Sequence, residues 1–255
     1  MIFCKRKAKI KACGLTDRGK VRENNEDSIL MNPQIGLYMV ADGMGGHSCG
    51  DVASRMAVTI INEYLEKALS KGSQNQSAKE GDLPTLILTA IARANQAIYN
   101  FSQDLPGKDI IGTTLSLLLI KDQKIFLAHI GDSRIYRLRN RILEKLTTDH
   151  TQVQELVDMG RISEEEADKH PLSHILTRAL GSHKIVEPDI QVITLGKKDE
   201  FLLTTDGLFR VLSLSHVQEI LLSSMDRESK CRSLIDKVLE GGAPDNVSMI
   251  IIEQG

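Results

Sequence analysis

The sequence contains no tryptophan, and aromatic residues make up only 4% of it. Stacking platforms for nucleic-acid bases or sugars are therefore not expected. An excess of one charge is also missing. Lys and Arg number 32 against 34 Asp and Glu, a formal net charge of −2. A phosphate-backbone binder needs a basic excess on one face, so no nucleic-acid partner is expected. The four cysteines, Cys4, Cys13, Cys49 and Cys231, include no C-x-x-C pair. That spacing disfavours a zinc ribbon or a redox motif. A chain able to bury a large core has little need of a disulfide framework, so reduced thiols and a cytoplasmic location are expected. No apolar run approaches the ~20 residues of a membrane span. The N-terminus is basic from Lys5 to Lys11, but no apolar stretch follows it. It does not read as a secretion signal, and a solvated strand end is the simpler reading.

What is present is ordinary globular composition: 255 residues, 41% hydrophobic and 26% charged. At about 150 residues per domain this length allows one large domain or two small ones. Short β-rich runs are predicted between 8 and 42. A long helix is predicted over about 51–69, from Val52, Ala53, Met56, Ala57, Ile60 and Ile61 onward at helical spacing. A polar loop covers 70–81, and a second amphipathic helix follows from Leu83 to Phe101. Between 112 and 147 the period changes to short strands, with sequence neighbours expected to pair antiparallel. Residues 148–175 are polar and read as two short helices in a surface insertion. Strands near 189–194 and 200–205, helices near 215–223 and 229–240, and a last strand at 246–253 close the chain. This order is not a βαβ alternation, so the expected class is α+β.

Several acids share one context: an apolar strand ends, an Asp stands there, and a turn residue follows. Asp42 in VADG, Asp132 in IGDS and Asp206 in TTDG fit, and Asp245 in APDN stands just before the final strand. Each Asp-Gly or Asp-Asn alone reads as a turn or cap. Four at one kind of boundary can converge where the strands of one sheet stop. Such acids would repel one another unless cations neutralise them. Oxygen-only ligation suits Mg²⁺ or Mn²⁺ rather than zinc. Arg22, Glu26 and Asp27 form a second cluster, readable either as a phosphate-binding guanidinium with metal-orienting carboxylates or as a solvated loop. The loop DGMGGHSCG matches neither nucleotide-binding glycine pattern, and there is no nucleophile elbow.

Eight segments in order, TDRGKVRENNED (16–27), VADGMGG (40–46), GTT (112–114), HIGDSRIYRL (129–138), LTTDH (146–150), LTRALGS (176–182), LTTDGL (203–208) and GGAPDNVSMI (241–250), resemble the motif series of the metal-dependent type 2C protein phosphatases. Within this PPM family the bacterial serine/threonine phosphatases are the most similar branch. The resemblance covers about 8–253. It implies a four-layer αββα sandwich of two antiparallel sheets flanked by helices, in one catalytic domain over 1–255, with 148–175 as a flap. Position by position, it implies that Asp42 bridges two Mn²⁺ or Mg²⁺ ions and that the carbonyl of Gly43 ligates the first. Asp206 and Asp245 would complete the second, and Asp132 with Asp206 would hold a third, weaker ion. Arg22 corresponds to the phosphate-binding arginine, at the catalytic centre with Asp42. Glu26 and Asp27 correspond to acids acting through metal-bound water.

The implied reaction is hydrolysis of phosphoserine and phosphothreonine in proteins, with no phospho-enzyme. Metal-activated water would attack phosphorus in line between ions about 3.5–4 Å apart. The implied partners are phosphorylated proteins, a cognate Ser/Thr kinase and its targets, met by a monomer. The alternative is a pseudophosphatase that binds phosphoproteins without catalysis. One departure stands out. Met44 follows Asp-Gly where animal members carry a histidine, so the leaving-group proton must come from metal-bound water or elsewhere, with His47 nearby in sequence.

Overall fold

In a computed structural model, which describes residues 10–45, 49–70, 82–105, 111–167 and 170–254, the described residues form eleven strands and six α-helices. In chain order these are β1 (Ile10–Asp17), β2 (Asp27–Asn32), β3 (Leu37–Met44), α1 (Gly50–Leu69), α2 (Leu83–Asp104), β4 (Gly112–Thr113), β5 (Leu115–Lys121), β6 (Lys124–Ile130) and β7 (Arg134–Arg139). They continue with β8 (Ile142–Lys145), α3 (Gln152–Asp158), α4 (Glu164–Ala167), β9 (Asp189–Thr194), β10 (Glu200–Thr204), α5 (Leu214–Leu222), α6 (Arg227–Glu240) and β11 (Val247–Gln254).

The strands divide between two antiparallel sheets. The first runs β1-β11-β10-β7-β8 and the second β2-β3-β5-β6-β9, with β4 paired to β3. Their sequences explain the layering. β3 is apolar at every position from Leu37 to Ala41, and all five side chains are buried. Leu37, Met39 and Ala41 pack with Ala53, Ala57 and Ile61 of α1 and with Ile87, Ile91 and Ile98 of α2. Tyr38 and Val40 point the other way, against Phe201, Leu203, Ile250 and Ile252 of the first sheet. The outer face of that sheet, with Leu202, Met249 and Ile251, is covered by Val217, Leu221, Leu234 and Val238 of α5 and α6. The result is the expected αββα order. A side chain of this size contributes about 1.5–3 kcal/mol when fully buried. Strands apolar on both faces are what a sheet between two covered layers requires.

Local chemistry sets the element ends. α5 starts at Ser213, whose hydroxyl accepts from the His216 N–H, and α6 at Asp226, whose carboxylate accepts from the Ser229 N–H at 2.7 Å. The hairpins β5–β6 and β7–β8 turn through Asp122-Gln123 and Asn140-Arg141, both pairs at positive φ. The polar stretch expected as a loop lies outside the described residues from 71 to 81.

One expectation of the pairing is corrected. β6 and β7 follow each other closely but are not neighbours: β6 belongs to the second sheet and β7 to the first. The chain crosses between sheets through Gly131-Asp132-Ser133. Gly131 has φ +100, and a Cβ there would meet the Thr114 side chain at 2.6 Å. Both strands carry buried apolar residues on two faces, which a flat hairpin ribbon would expose. The two short helices of 148–175 are present as α3 and α4. Their segment leaves and returns at one point, where Gln152 N–H donates to Ile175 O and Thr177 N–H to His150 O.

Candidate active site

The acids singled out in the sequence gather at one end of the sandwich, but not from one sheet. Asp42 lies on β3 and Asp27 opens β2, both in the second sheet. Asp206 begins a short 3-10 turn after β10, and Asp245 precedes β11, both in the first. Asp132 sits on the crossover joining the sheets. The expectation that strands of a single sheet would supply the cluster is therefore corrected. Strand ends from two facing sheets place acids around a cleft, whereas those of one sheet would line them in a row.

Backbone bonds fix Asp42. Its N–H donates to the Thr114 hydroxyl at 2.8 Å. Its carbonyl accepts from the Thr114 N–H at 2.9 Å and from the Thr113 hydroxyl at 2.9 Å. The Thr114 hydroxyl also lies 2.6 Å from that of Ser133, beside Asp132. Gly43 is packed so closely that a Cβ would meet Gly50 O at 2.0 Å and Glu26 O at 2.7 Å. Its N–H donates to Glu26 O.

The electrostatics record crowding. Burial pushes the Asp42 carboxyl well above the usual carboxylate range, and the charges of Asp27, Asp206, Asp132 and Asp245 push it further. Asp132 is pushed up to about 8, first by burial and then by Asp206 and Asp149, against Arg134 and Arg210. Asp27 rises to about 7, again mainly by burial, although bonds from Ser248 and Thr205 oppose the shift. Asp206 is also raised by burial, with Arg210 opposing.

The early cluster divides. Arg22 forks onto Asp245, Nε to Oδ1 at 2.8 Å and Nη2 to Oδ2 at 2.9 Å, with its own side chain 53% exposed. Glu26 reaches the start of α1. Its carboxyl is raised mainly by burial, partly offset by Arg22 and by a bond from the Gly50 N–H. Asn246 locks this loop to the Asp245 turn: its Oδ1 accepts from Glu26 N–H, and its Nδ2 donates to the carbonyls of Arg18 and Asn24. His47 lies outside the described residues.

Sequence reasoning missed Arg210, which donates to Asp206 at 2.6 Å and lies 3.1 Å from Asp245. The signal was available: Asp206 and Arg210 are four residues apart on a helical turn. It also missed Arg134, which binds Asp149 through two nitrogens at 2.9 and 2.7 Å. A groove of about 750 Å³ runs from Asp132 and Asp206 past Arg210 and Lys145 to Val157 and His174 of the helical insertion.

Among the described residues no three His, Cys, Asp or Glu side chains are gathered closely enough to grip one ion. Asp206 and Asp245 are instead shared with the guanidinium groups of Arg210 and Arg22. Their chemistry still fits a hard divalent cation. The donors are oxygens, burial and like charge make the Asp27, Asp42, Asp132 and Asp206 carboxylates costly, and Oδ1 of both Asp27 and Asp206 is buried with no partner.

Residues 18–248 match the family model of protein phosphatase 2C. The chain belongs to the protein phosphatase 2C family. It is 36% identical over 242 residues to the serine/threonine phosphatase stp of Listeria monocytogenes serotype 4b (strain F2365), covering 94% of each chain. The crystal structure of the Mycobacterium tuberculosis serine/threonine phosphatase PstP/Ppp superposes with a TM-score of 0.85 at 36% identity, over 96% of this chain and 98% of that one. The catalytic domain of PstP, solved in complex with two manganese ions, gives a TM-score of 0.81 at 36% identity, over 96% and 97%. The αββα architecture is thus that of the protein phosphatase 2C fold, in its bacterial serine/threonine branch.

Proposed function

We propose that this chain hydrolyses phosphoserine and phosphothreonine in proteins at the cleft between its two sheets, using two divalent ions and no phospho-enzyme. The observation that carries the reading is the convergence of Asp42, Asp132, Asp206 and Asp245 from both sheets in a protein phosphatase 2C chain. Family membership makes it a protein serine/threonine phosphatase and disfavours the pseudophosphatase alternative.

Asp42, the Gly43 carbonyl, Asp206 and Asp245 would hold two ions, and Asp132 with Asp206 a weaker third. Mn²⁺ and Mg²⁺ both suit this donor set. When bound, such ions make hydroxide available at neutral pH and neutralise charge on the phosphoryl oxygens. The protein's own part is positioning. Threonines 113 and 114 hold the Asp42 backbone, so its carboxylate is presented without reorganisation. Arg22 has five N–H donors and spends two on Asp245, which leaves donors for phosphate oxygens. Its bond also orients Asp245. Asp27 and Glu26 stand behind the cluster, one buried against Thr205 and one at the start of α1, where each could orient water. Met44 supplies no proton, so the leaving oxygen must draw its proton from water or from another residue.

The substrates are phosphorylated proteins, with a partner Ser/Thr kinase and its targets as the proposed set, in the cytoplasm. No described helix is long and apolar enough to cross a membrane. The test is phosphate release from phosphoserine, phosphothreonine and phosphotyrosine peptides, with Mn²⁺ and then with chelator. Release from the first two that stops on chelation supports the reading. Release that ignores chelation would overturn it.

A further inference from the structure

Arg210 faces two proposed ion ligands at once. Its Nε and Nη2 donate to Oδ2 of Asp206 at 3.0 and 2.6 Å, and its Nε lies 3.1 Å from Oδ2 of Asp245. The two acids are mostly buried, with side chains 19% and 13% exposed, while Arg210 is 39% exposed. Oδ2 of Asp206 thus carries a guanidinium fork, and its Oδ1 has no partner. Arg22 differs: it forks onto Asp245 from a station further out in solvent.

A guanidinium and a divalent ion draw on the same carboxylate charge, and on the Oδ2 lone pairs of both acids. Two cations at this range also repel, strongly in a half-buried site. Both effects have one sign. We propose that Arg210 is an internal counter-cation that competes with the divalent ion for Asp206 and Asp245, and so sets how tightly this chain holds it. The inference rests on the reading of those acids as metal ligands. It gives the side chain two stations. In one, the fork neutralises the acids and holds the Asp206 and Asp245 turns together. In the other, the guanidinium swings into the groove that it lines with Asp132, Lys145 and His174. The cost of leaving the first station is subtracted from the metal affinity.

The test is calorimetric titration of Mn²⁺ into the wild-type chain, Arg210→Gln and Arg210→Lys, with thermal melts in chelator and in Mn²⁺ and circular dichroism to confirm folding. Arg210→Gln removes charge-assisted bonds to both acids, so Mn²⁺ should bind roughly tenfold more tightly. Its melting temperature in chelator should fall, because two crowded carboxylates lose their counter-charge, and the rise on adding Mn²⁺ should be larger than in wild type. Arg210→Lys keeps the charge and loses the fork, so its affinity should lie between. A folded Arg210→Gln that binds Mn²⁺ no more tightly than wild type overturns the proposal and leaves the metal assignment standing. Failure of the wild-type chain to take up Mn²⁺ overturns the assignment and the proposal together. Should Arg210→Gln not fold, Arg210→Lys decides: binding tighter than wild type supports competition, and equal or weaker binding overturns it.

Discussion

The hydroxyl of Thr205, at the end of the first sheet, donates to Oδ2 of Asp27 in the second sheet at 2.8 Å. The same hydroxyl accepts from the Ser248 N–H at 3.0 Å. One side chain therefore links two sheets and two strands just behind Asp42.

Thr205→Val should cost about 1–3 kcal/mol, because it takes the partner from the buried Ser248 N–H and removes one of the two hydroxyls that bond the buried Asp27. Urea unfolding in chelator measures this. The bond favours the ionised form of Asp27, so the cost should shrink in an Asp27→Asn background. An equal cost in both backgrounds would show that the two groups are not coupled.

The raised acids set a pH dependence. Asp132 moves from 3.8 to about 8 and Asp27 from 3.8 to about 7. The folded protein holds these protons where the unfolded chain has lost them. Their contribution is full below about pH 3.8 and declines as pH rises through 7 and 8. His129 works oppositely. Burial lowers it from 6.5 to about 4, so its contribution is full above 6.5 and is lost as pH falls toward 4. Between pH 6.5 and 8 the His129 contribution is already full, while those of Asp27 and Asp132 still decline. The melting temperature in chelator should fall across that window, and Asp132→Asn should flatten the fall. Added Mn²⁺ should raise it more at pH 8 than at pH 6.5. A chelated protein that gains stability over that window would contradict the assignment of these groups.

Gly207 should tolerate no side chain. A Cβ there would meet Asn246 O at 1.9 Å and the Val247 Cα at 3.4 Å. Backbone must move, and it is the backbone that carries Asp206 and Asp245. Gly207→Ala should lower stability by about 3 kcal/mol or more and weaken Mn²⁺ binding. Gly160 is the control: its φ is +66, with nothing within 4 Å of an added Cβ, so Gly160→Ala should cost only about 1 kcal/mol and leave Mn²⁺ binding alone. Matching losses in the two variants, by urea melts and calorimetry, would count against this view of Gly207.

Much of the fold could be read from the chain because its periods are strong. Ala53, Ala57 and Ile61, and Ile87, Ile91 and Ile98, mark helix faces that are buried as expected. The site acids stood out because each lies at the end or the start of an apolar strand, beside a turn. What could not be read was which sheet each strand joins. β3, β6 and β10 are apolar on both faces, so no alternation tells inner from outer, and only the crossover at Gly131 separates β6 from β7. Arg210 and Arg134 do not stand out in the sequence because a lone arginine beside a turn looks like surface. Their partners, Asp206, Asp245 and Asp149, come from distant positions or across a turn. Asn246 was visible only as a turn residue, since its bonds reach back to Arg18, Asn24 and Glu26.

Asp132 is proposed to serve the third, weaker ion with Asp206. Asp132→Ala should reduce turnover while calorimetry still counts two tight Mn²⁺ sites. Loss of both tight sites would move Asp132 into the principal pair.

The most direct test is Asp42→Asn. Asp42 is the acid whose charge environment includes all of Asp27, Asp206, Asp132 and Asp245. The change keeps shape and hydrogen bonds and removes one negative charge. Mn²⁺-dependent phosphate release from a phosphothreonine peptide should fall at least about a hundredfold, as for loss of a central electrostatic group. The circular dichroism spectrum should match that of the wild-type chain. Near-full turnover by a folded Asp42→Asn protein would contradict the acid cluster as the phosphatase centre.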